Sequence, residues 1–452
     1  PLLISNEGIG SFRKGGKDVG ASRYVHFRLN KRVCDLLFPD ADTHVIQYVF
    51  TEGVQCEPVM FMPILPWGLW QYYSVPATGW KSSFYPRDIK ATIDAVKSLV
   101  SAIKPKPVEF DQWGIPTFRT GGLNNNVRLP VELPPSMHKF HGEMRENYYV
   151  GTFSVNGDTI HITALPPGLW NSTLLRNIRG DTEQEAKKRI AKGKEVRIGK
   201  PLVKEAEDRS GFENVDITLI MVKGWEKQLP PSSNELFSDL EYYLGIYVQM
   251  DNQLTTILPD DSVHVFKTYI DIVKKWFGPR GETYTRRFRR EYALLKYRVI
   301  MLDNIIRYIA LFHSELNLIR RGMTAEQADT ILSSKGFIKM DIRPIKNARE
   351  VDIPTLDEQV LRGPDISYNY LTGIPVNKTH ESNQRKHQEK LQKYKKRIAE
   401  LEGSTVCRDA WLHEICAFEA IVDEGLRTDW FFEDFDNAKN RRVIKGGKRR
   451  VK

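Results

Sequence analysis

The sequence is poor in cysteine, with only Cys34, Cys56, Cys407 and Cys416 in 452 residues. These four are far apart and form no Cys-x-x-Cys pair or Cys/His cluster, which points to a reducing compartment and gives a structural zinc no ligand set. No apolar run reaches the ~20 residues that a membrane-spanning helix needs. The opening PLLISNEGIG lacks the layout of a secretory signal. Clustered acids are scarce too, and no Glu-plus-Asp-x-Asp arrangement for a metal ion can be assigned. From Lys439 to Lys452 acid is absent altogether, and eight basic residues there account for most of the net charge of +10. That stretch reads as a disordered polybasic arm, equally suited to nucleic acid or to nuclear import. Over the whole chain the composition is ordinary for a soluble globular protein, with 41% apolar and 27% charged residues. At 452 residues it exceeds one hydrophobic core, so two to four domains are expected.

Positive charge is informative where it clusters. Between Phe12 and Arg32 there are seven basic side chains and one acid. Within that stretch, Gly15-Gly16-Lys17-Asp18-Val19-Gly20-Ala21-Ser22-Arg23-Tyr24 joins a glycine-rich loop to an Arg-Tyr pair. Glycines let backbone N–H groups approach a phosphate, and lysine and arginine neutralise it. The tyrosine adds a hydroxyl nucleophile beside a cation. A solvated basic surface would look similar over so short a window.

Along the chain, residues 1–35 read as a short strand or wing, a glycine turn, and a helix carrying Val25, Leu29, Val33 and Leu37. Strand and turn signals dominate from Val45 to Lys223, in YYVGTFSV, TIHITAL and VDITLIMV, with helices near 87–103 and 182–192. Beyond that the pattern changes. Phe288, Tyr292, Leu295, Val299, Leu302, Ile306 and Ile309 recur at alternating spacings of four and three, a heptad seam on one long helix. Pro279 suits its first turn. His387, Leu391, Tyr394, Ile398 and Leu401 repeat the pattern, and between the two lies a compact segment near 322–380 with its own short helix (Ala325–Ser333) and several prolines. At ~1.5 Å per residue the first helix, over 280–320, would extend roughly 60 Å. A plain helical bundle is the alternative to an antiparallel arm with a cap.

Several motifs then converge on one family. GSFRKGGKDVGASRY (residues 10–24) resembles the active-site wing and tyrosine of type IIA DNA topoisomerases. EPVMFMPILPWGLWQYYSVPATGW (57–80) is similar to the segment leading into that family's DNA-bending wedge and ends in its Thr-Gly-Trp. ITALPPGLWNST (162–173) resembles the tower-domain strand. WFGPRGETYTRR (276–287) resembles the start of the coiled-coil arm, and YNYLTGIPV (368–376) the return from the exit gate. The matches keep family order over nearly the whole chain. Departures occur: Gly20-Ala21-Ser22 replaces the usual Ala-Ser-Pro or Ala-Ser-Ala before Arg-Tyr, the wing arginine is shifted to Arg13, and the wedge position falls on Pro76, after Val75, instead of isoleucine. The pattern is most like the eukaryotic branch, and within it the enzymes of large DNA viruses such as African swine fever virus.

The resemblance implies an α+β multidomain chain. It divides into a winged-helix remnant and wedge segment (1–83), a β-rich tower (84–260), an outgoing arm helix (261–321), an exit-gate knob (322–380), a return helix (381–436) and a basic tail (437–452). It further implies the DNA gate and exit gate of an ATP-dependent type II topoisomerase, a homodimer through both gates acting on double-stranded DNA. Tyr24 would be the nucleophile, with Arg23 stabilising charge at the phosphate. Arg13, Lys14, Lys17, Ser22, Val75, Pro76 and Lys81 would contact DNA. A free tyrosine has a pKa of about 10, so roughly one in a thousand is phenolate at pH 7 and activation is required. Mg²⁺ and ATP would be held outside this chain, by an N-terminal ATPase and metal-binding region of the same enzyme, and no metal ligand is assigned here. The chain is accordingly expected to be the C-terminal part of a breakage-reunion core. Its expected location is the nucleus, or the host cytoplasm and viral factory for a viral enzyme, with no secretion and no membrane partner. Apolar knob residues, including Tyr368, Tyr370 and Leu371, are candidates for the exit-gate contact. Competing readings are a non-catalytic coiled-coil DNA-binding scaffold and a monomeric tyrosine nuclease or recombinase.

Overall fold

The computed structural model describes residues 3–5, 27–77, 79–104, 108–112, 114–117, 127–136, 140–196, 198–211, 214–258, 260, 262–314, 323–346 and 358–428. Strand β1 (Leu3–Ser5) pairs antiparallel with β2 (Phe27–Leu29), Leu3 opposite Leu29. Helix α1 (Lys31–Leu37) follows at once, because the Asn30 side chain accepts the Val33 amide as an N-cap. The expected helix from Val25 to Leu37 is therefore shortened: Leu29 belongs to the ladder, and only Val33 and Leu37 of that series are buried helical positions.

Two hairpins come next. The first, β3 (Tyr48–Thr51) with β4 (Val54–Pro58), leaves Phe50 and Val54 about two-thirds exposed. The second joins β5 (Tyr73–Ala77) to β6 (Trp80–Phe84). Helix α2 (Ile89–Ser101) is capped by Asp88 and buries Ile93, Val96, Leu99 and Val100. It packs in the same core as α1, so the first core runs past residue 84 and takes in Ile115 and Leu133.

A second core holds residues from Ile160 to Ile246. Around it lie a three-stranded sheet of β7 (Glu143–Arg145), β8 (Tyr148–Val150) and β13 (Tyr247–Gln249), and a four-stranded sheet of β9 (Thr152–Asn156), β10 (Thr159–Ala164), β12 (Ile217–Met221) and β11 (Val203–Asp208), all pairings antiparallel. Ile160 and Ile162 are fully buried and alternate with more exposed His161 and Thr163, the period-two pattern visible in TIHITAL. Between β8 and β9 the chain changes sheet at Gly151, where a Cβ would stand 2.5 Å from the Ala164 carbonyl oxygen, so only glycine fits. The second helix expected in this half is α4 (Glu183–Ile190), following α3 (Asn171–Arg179) and closed by a Thr182–Glu185 capping box.

Helix α5 (Asp239–Leu244) precedes the 46-residue α6 (Tyr269–Ser314), which is about 70 Å long at ~1.5 Å per residue. The sequence placed Pro279 in the first turn, whereas the helix starts ten residues earlier. Tyr269, Ile270, Val273 and Phe277 are all buried on one face, and this packing carries the helix through a proline that has no amide to offer the Lys275 carbonyl. Helices α7 (Ala325–Ser334), α8 (Arg343–Lys346) and α9 (Asn369–Thr372) form a compact unit, and α10 (Glu381–Leu401) and α11 (Val406–Thr428) return along α6. The direction is antiparallel: Phe277 stacks on Trp411, Tyr292 Oη donates to Glu402, and Arg397 donates to Glu291. Phe288, Tyr292, Leu295, Leu302 and Ile309 of the first heptad series are buried, as are Leu391 and Leu401 of the second. Tyr368, Tyr370 and Leu371 are buried as well, with Tyr368 Oη donating to the Phe337 carbonyl and Tyr370 Oη to the Ile338 carbonyl. Their apolar surface fills the compact unit and is not free to face a second protomer.

Candidate functional site

Arg13, Lys14, Lys17, Ser22, Arg23 and Tyr24 lie outside the described residues. The structure describes the hairpin with Val75, Pro76 and Lys81, and the packing beneath α1, which begins seven residues after Tyr24 in the sequence.

The β5–β6 hairpin has a rigid base and a free tip. At the base, Tyr73 stacks on Phe84 at 4.6 Å and 17°, and Phe84 meets Tyr269 edge-on at 5.7 Å. Tyr269 Oη accepts the Tyr85 amide at 2.9 Å and donates to Asn252 at 2.6 Å, and the Arg87 guanidinium lies 3.7 Å over its ring. Burial pushes the Tyr73 phenol up to about 12, so this tyrosine is a neutral packing group. Ser83 exchanges two 2.9 Å backbone hydrogen bonds with Gln253, tying β6 to the chain that leaves the β-rich sheets. Toward the tip, Val75 and Trp80 are half exposed and Pro76 is exposed. Pro76 stands opposite Lys81, and Ala77 opposite Trp80. A two-stranded hairpin tolerates proline because the missing amide costs no interior ladder. Gly79 supplies the left-handed turn with φ of +77°.

The three described candidates are thus together on one hairpin, but their electrostatics differ. Lys81 donates to Asp251, and that hydrogen bond holds its ammonium above the usual lysine range. As an exposed pair it is worth little to stability, and its carboxylate offsets the positive charge that Lys81 would offer a phosphate. Asp251 was not apparent in the sequence, where it lies 170 positions from Lys81.

Beneath α1 a buried polar cluster joins distant segments. Arg280 Nη1 donates to Asp42 at 2.6 Å and to the Met62 carbonyl at 2.7 Å, and its guanidinium lies 4.2 Å from the Tyr284 ring centre. Tyr284 Oη donates to Glu414 at 2.5 Å, and Arg287 reaches Glu414 at 2.6 Å and Asp42 at 3.5 Å. Burial drives the Tyr284 phenol far above its ordinary range. One signal was present in WFGPRGETYTRR: Arg280, Tyr284 and Arg287 fall at i, i+4 and i+7, one face of a helix. Their partners Asp42 and Glu414 carry no such local mark.

Among the described residues, no three or more His, Cys, Asp or Glu side chains could share a metal ion, and no helix is long and apolar enough to cross a membrane.

Residues 1–415 match the family model for the A subunit of DNA gyrase and topoisomerase IV. The chain belongs to this family. Among its curated relatives, the DNA topoisomerase 2 of African swine fever virus (isolate Pretoriuskop) is 27% identical over 456 residues, covering 96% of this chain and 35% of the viral protein. The DNA topoisomerase 2 of Arabidopsis thaliana is 24% identical over 397 residues, covering 82% of this chain and 23% of the plant protein. The chain thus spans about a third of the length of the viral relative. In fold it resembles the Plasmodium falciparum topoisomerase II DNA-binding, cleavage and re-ligation domain, with a TM-score of 0.65 at 19% identity, over 95% of this chain and 53% of that one. Together these place it as a type IIA topoisomerase core.

Proposed function

We propose that this chain supplies the DNA gate and the exit gate of an ATP-dependent type II topoisomerase. The observation that carries the reading is the family match over residues 1–415, which includes the Arg-Tyr pair and runs through the hairpin and both long helices. In the reaction, the Tyr24 phenol gives up its proton to solvent as its oxygen attacks a backbone phosphorus, the bond to the 3′ oxygen breaks, and that oxygen takes a proton from solvent to leave as a 3′-hydroxyl. The strand is held as a 5′-phosphotyrosyl ester, so resealing is the reverse exchange and consumes no nucleotide. Arg23 stabilises the charge on the phosphoryl oxygens through its fork, and Arg13, Lys14, Lys17 and Ser22 hold flanking phosphates. The exposed apolar edge of Val75 and Pro76 wedges between base steps, and Trp80 flanks it.

Two such chains act on opposite strands, which calls for a homodimer. The α6–α10 pair is read as the coiled-coil arm and the α7–α9 unit as the exit-gate knob. The β-rich second core, from Ile160 to Ile246, is read as the tower. ATP and Mg²⁺ are assigned to regions of the enzyme outside this chain, and the nucleus or a viral factory to its location. The test is to trap a covalent DNA adduct in an enzyme assembled from this chain and the family's ATPase and metal-binding regions. Tyr24→Phe should abolish it. Undiminished adduct would assign the nucleophile elsewhere and return the chain to a scaffold role.

A further inference from the structure

A cavity of about 720 Å³ lies where the chain leaving the β-rich sheets meets the start of α6. That volume is in the range of sites for small organic ligands. Leu133, Met250, Leu254 and Phe266, all buried, line it together with Tyr269. Its one buried charge is Arg87, which is only 5% exposed. The backbone holds this arginine in place: its amide donates to the Leu69 carbonyl at 2.7 Å, and the Asp88 amide to the Pro134 carbonyl at 2.9 Å. Of the guanidinium, Nη1 donates to the Leu133 carbonyl at 3.3 Å. Nε is buried without a partner, and among the described residues Nη2 has no acceptor and no carboxylate pairs with Arg87. The acids around the cavity are used elsewhere or face outward. Glu132 accepts the Leu133 amide at 2.8 Å and the Tyr269 amide at 3.2 Å, at the first turn of α6, and Asp251 takes Lys81. Glu146 and Lys267 are exposed on the wall and offset each other in charge.

We propose that this cavity binds a small organic acid, a monocarboxylate with an apolar body, whose carboxylate pairs with the Arg87 guanidinium. The body of the ligand lies against Leu133, Met250, Leu254 and Phe266. The site goes beyond the DNA-gate reading and does not depend on it. Three features carry it. Burying a cation without an opposite charge is costly, so a guanidinium held here by one carbonyl gains most from an anion. The Tyr269 ring, 3.7 Å beneath it, offsets part of the charge but accepts none of its remaining N–H groups in line. The charge count then selects among anions. One buried cation, with Glu132 and Glu146 in the same wall, suits a single negative charge and repels the second charge of a phosphate monoester. The apolar lining supplies the rest of the affinity through burial of the ligand's carbon skeleton.

The test titrates 3-phenylpropanoate, with neutral 3-phenylpropanamide as its control, into the full chain and into the enzyme assembled with the family's ATPase and metal-binding regions. Affinity is read by ligand-observed NMR and the place of binding by hydrogen exchange. The carboxylate should bind saturably, with a dissociation constant on the order of 1 mM for a ligand of this size. The amide should bind about tenfold or more weakly. Exchange should slow at the Asp88 amide and at the Met250 amide, which donates to the Asn147 carbonyl beside the cavity, while β10 and β12 keep their protection. Arg87→Met removes the buried charge at similar volume, so the fold should survive, and carboxylate affinity should fall about tenfold or more with the amide unaffected. Asn147→Trp, on the exposed wall, should fill the space and weaken both ligands. Should Arg87→Met not fold, the amide control and Asn147→Trp still decide the matter. No saturable binding of the carboxylate at about 10 mM overturns the proposal, as does equal affinity for the amide, or affinity unchanged in a folded variant. Binding to the chain that disappears in the assembled enzyme overturns it too, since the cavity would then be covered by another region.

Discussion

In the β-rich core, Ile160, Ile162, Ile217 and Leu219 meet across two neighbouring strands, and the rest is filled mainly by aliphatic side chains, with Trp225 and Tyr243 among them. In the body core, Trp411 stacks on Phe277 at 5.0 Å and Tyr284 at 5.1 Å, with Arg280, Asp42 and Glu414 set among the rings. The first is held by apolar burial within one stretch of about a hundred residues. The second is held by aromatic contact and directed polar bonds between distant segments, 347 positions apart in the case of Trp411 and Ile64. A core of the first kind repacks when a side chain shrinks, whereas a core of the second kind loses the registration of several segments together.

That contrast can be broken by mutation. Trp411→Ala should cost the most, about 3–5 kcal/mol, because it empties the centre of the body core. Denaturant unfolding resolved by hydrogen exchange should show the loss in α1, α6 and α11 while β10 and β12 stay protected. An equal loss in both regions would mean that the two cores unfold as one. Ile217→Ala should cost about 3 kcal/mol in the reverse pattern. Gly151→Ala should cost about 1–3 kcal/mol, since its methyl group meets the Ala164 carbonyl, and thermal unfolding of the β-rich part would report it. The smallest effect concerns acid. Burial works against ionisation of Glu241, but hydrogen bonds from Arg145 and from Ser238 outweigh it and hold the carboxyl below its ordinary 4.5. Its folded-state value being lowered, its stabilisation is present above that ordinary value and is lost as pH falls through the folded one. Stability of the β-rich part, compared between pH 7 and pH 4, should fall more in wild type than in Glu241→Gln.

The same contrast explains what could be read from the sequence. The heptad series at 288–309 and 387–401 and the alternation at 159–164 were legible because spacing along one element decides which face is buried. The start of α6 was not, since Pro279 is a strong local signal and only packing at Tyr269, Val273 and Phe277 overrides it. Tyr368, Tyr370 and Leu371 were recognisable as apolar, but composition does not say whether apolar groups fill a unit or face outward. Val75, Pro76 and Lys81 share one hairpin inside the region where strand and turn signals dominate, while Asp251 and the Asp42–Arg280 pair depend on contacts at separations of 170 and 238. The Arg-Tyr motif and the wing cations lie outside the described residues.

Pro279 has a mechanical consequence. It omits one backbone hydrogen bond from α6, so the helix ladder lacks a rung right beside the buried Arg280. Beyond that point α6 continues to Ser314, a lever of about 50 Å at ~1.5 Å per residue. A flex of about 5° at Pro279 would sweep the far end through about 4–5 Å, close to one helical turn, with almost no displacement at its foot.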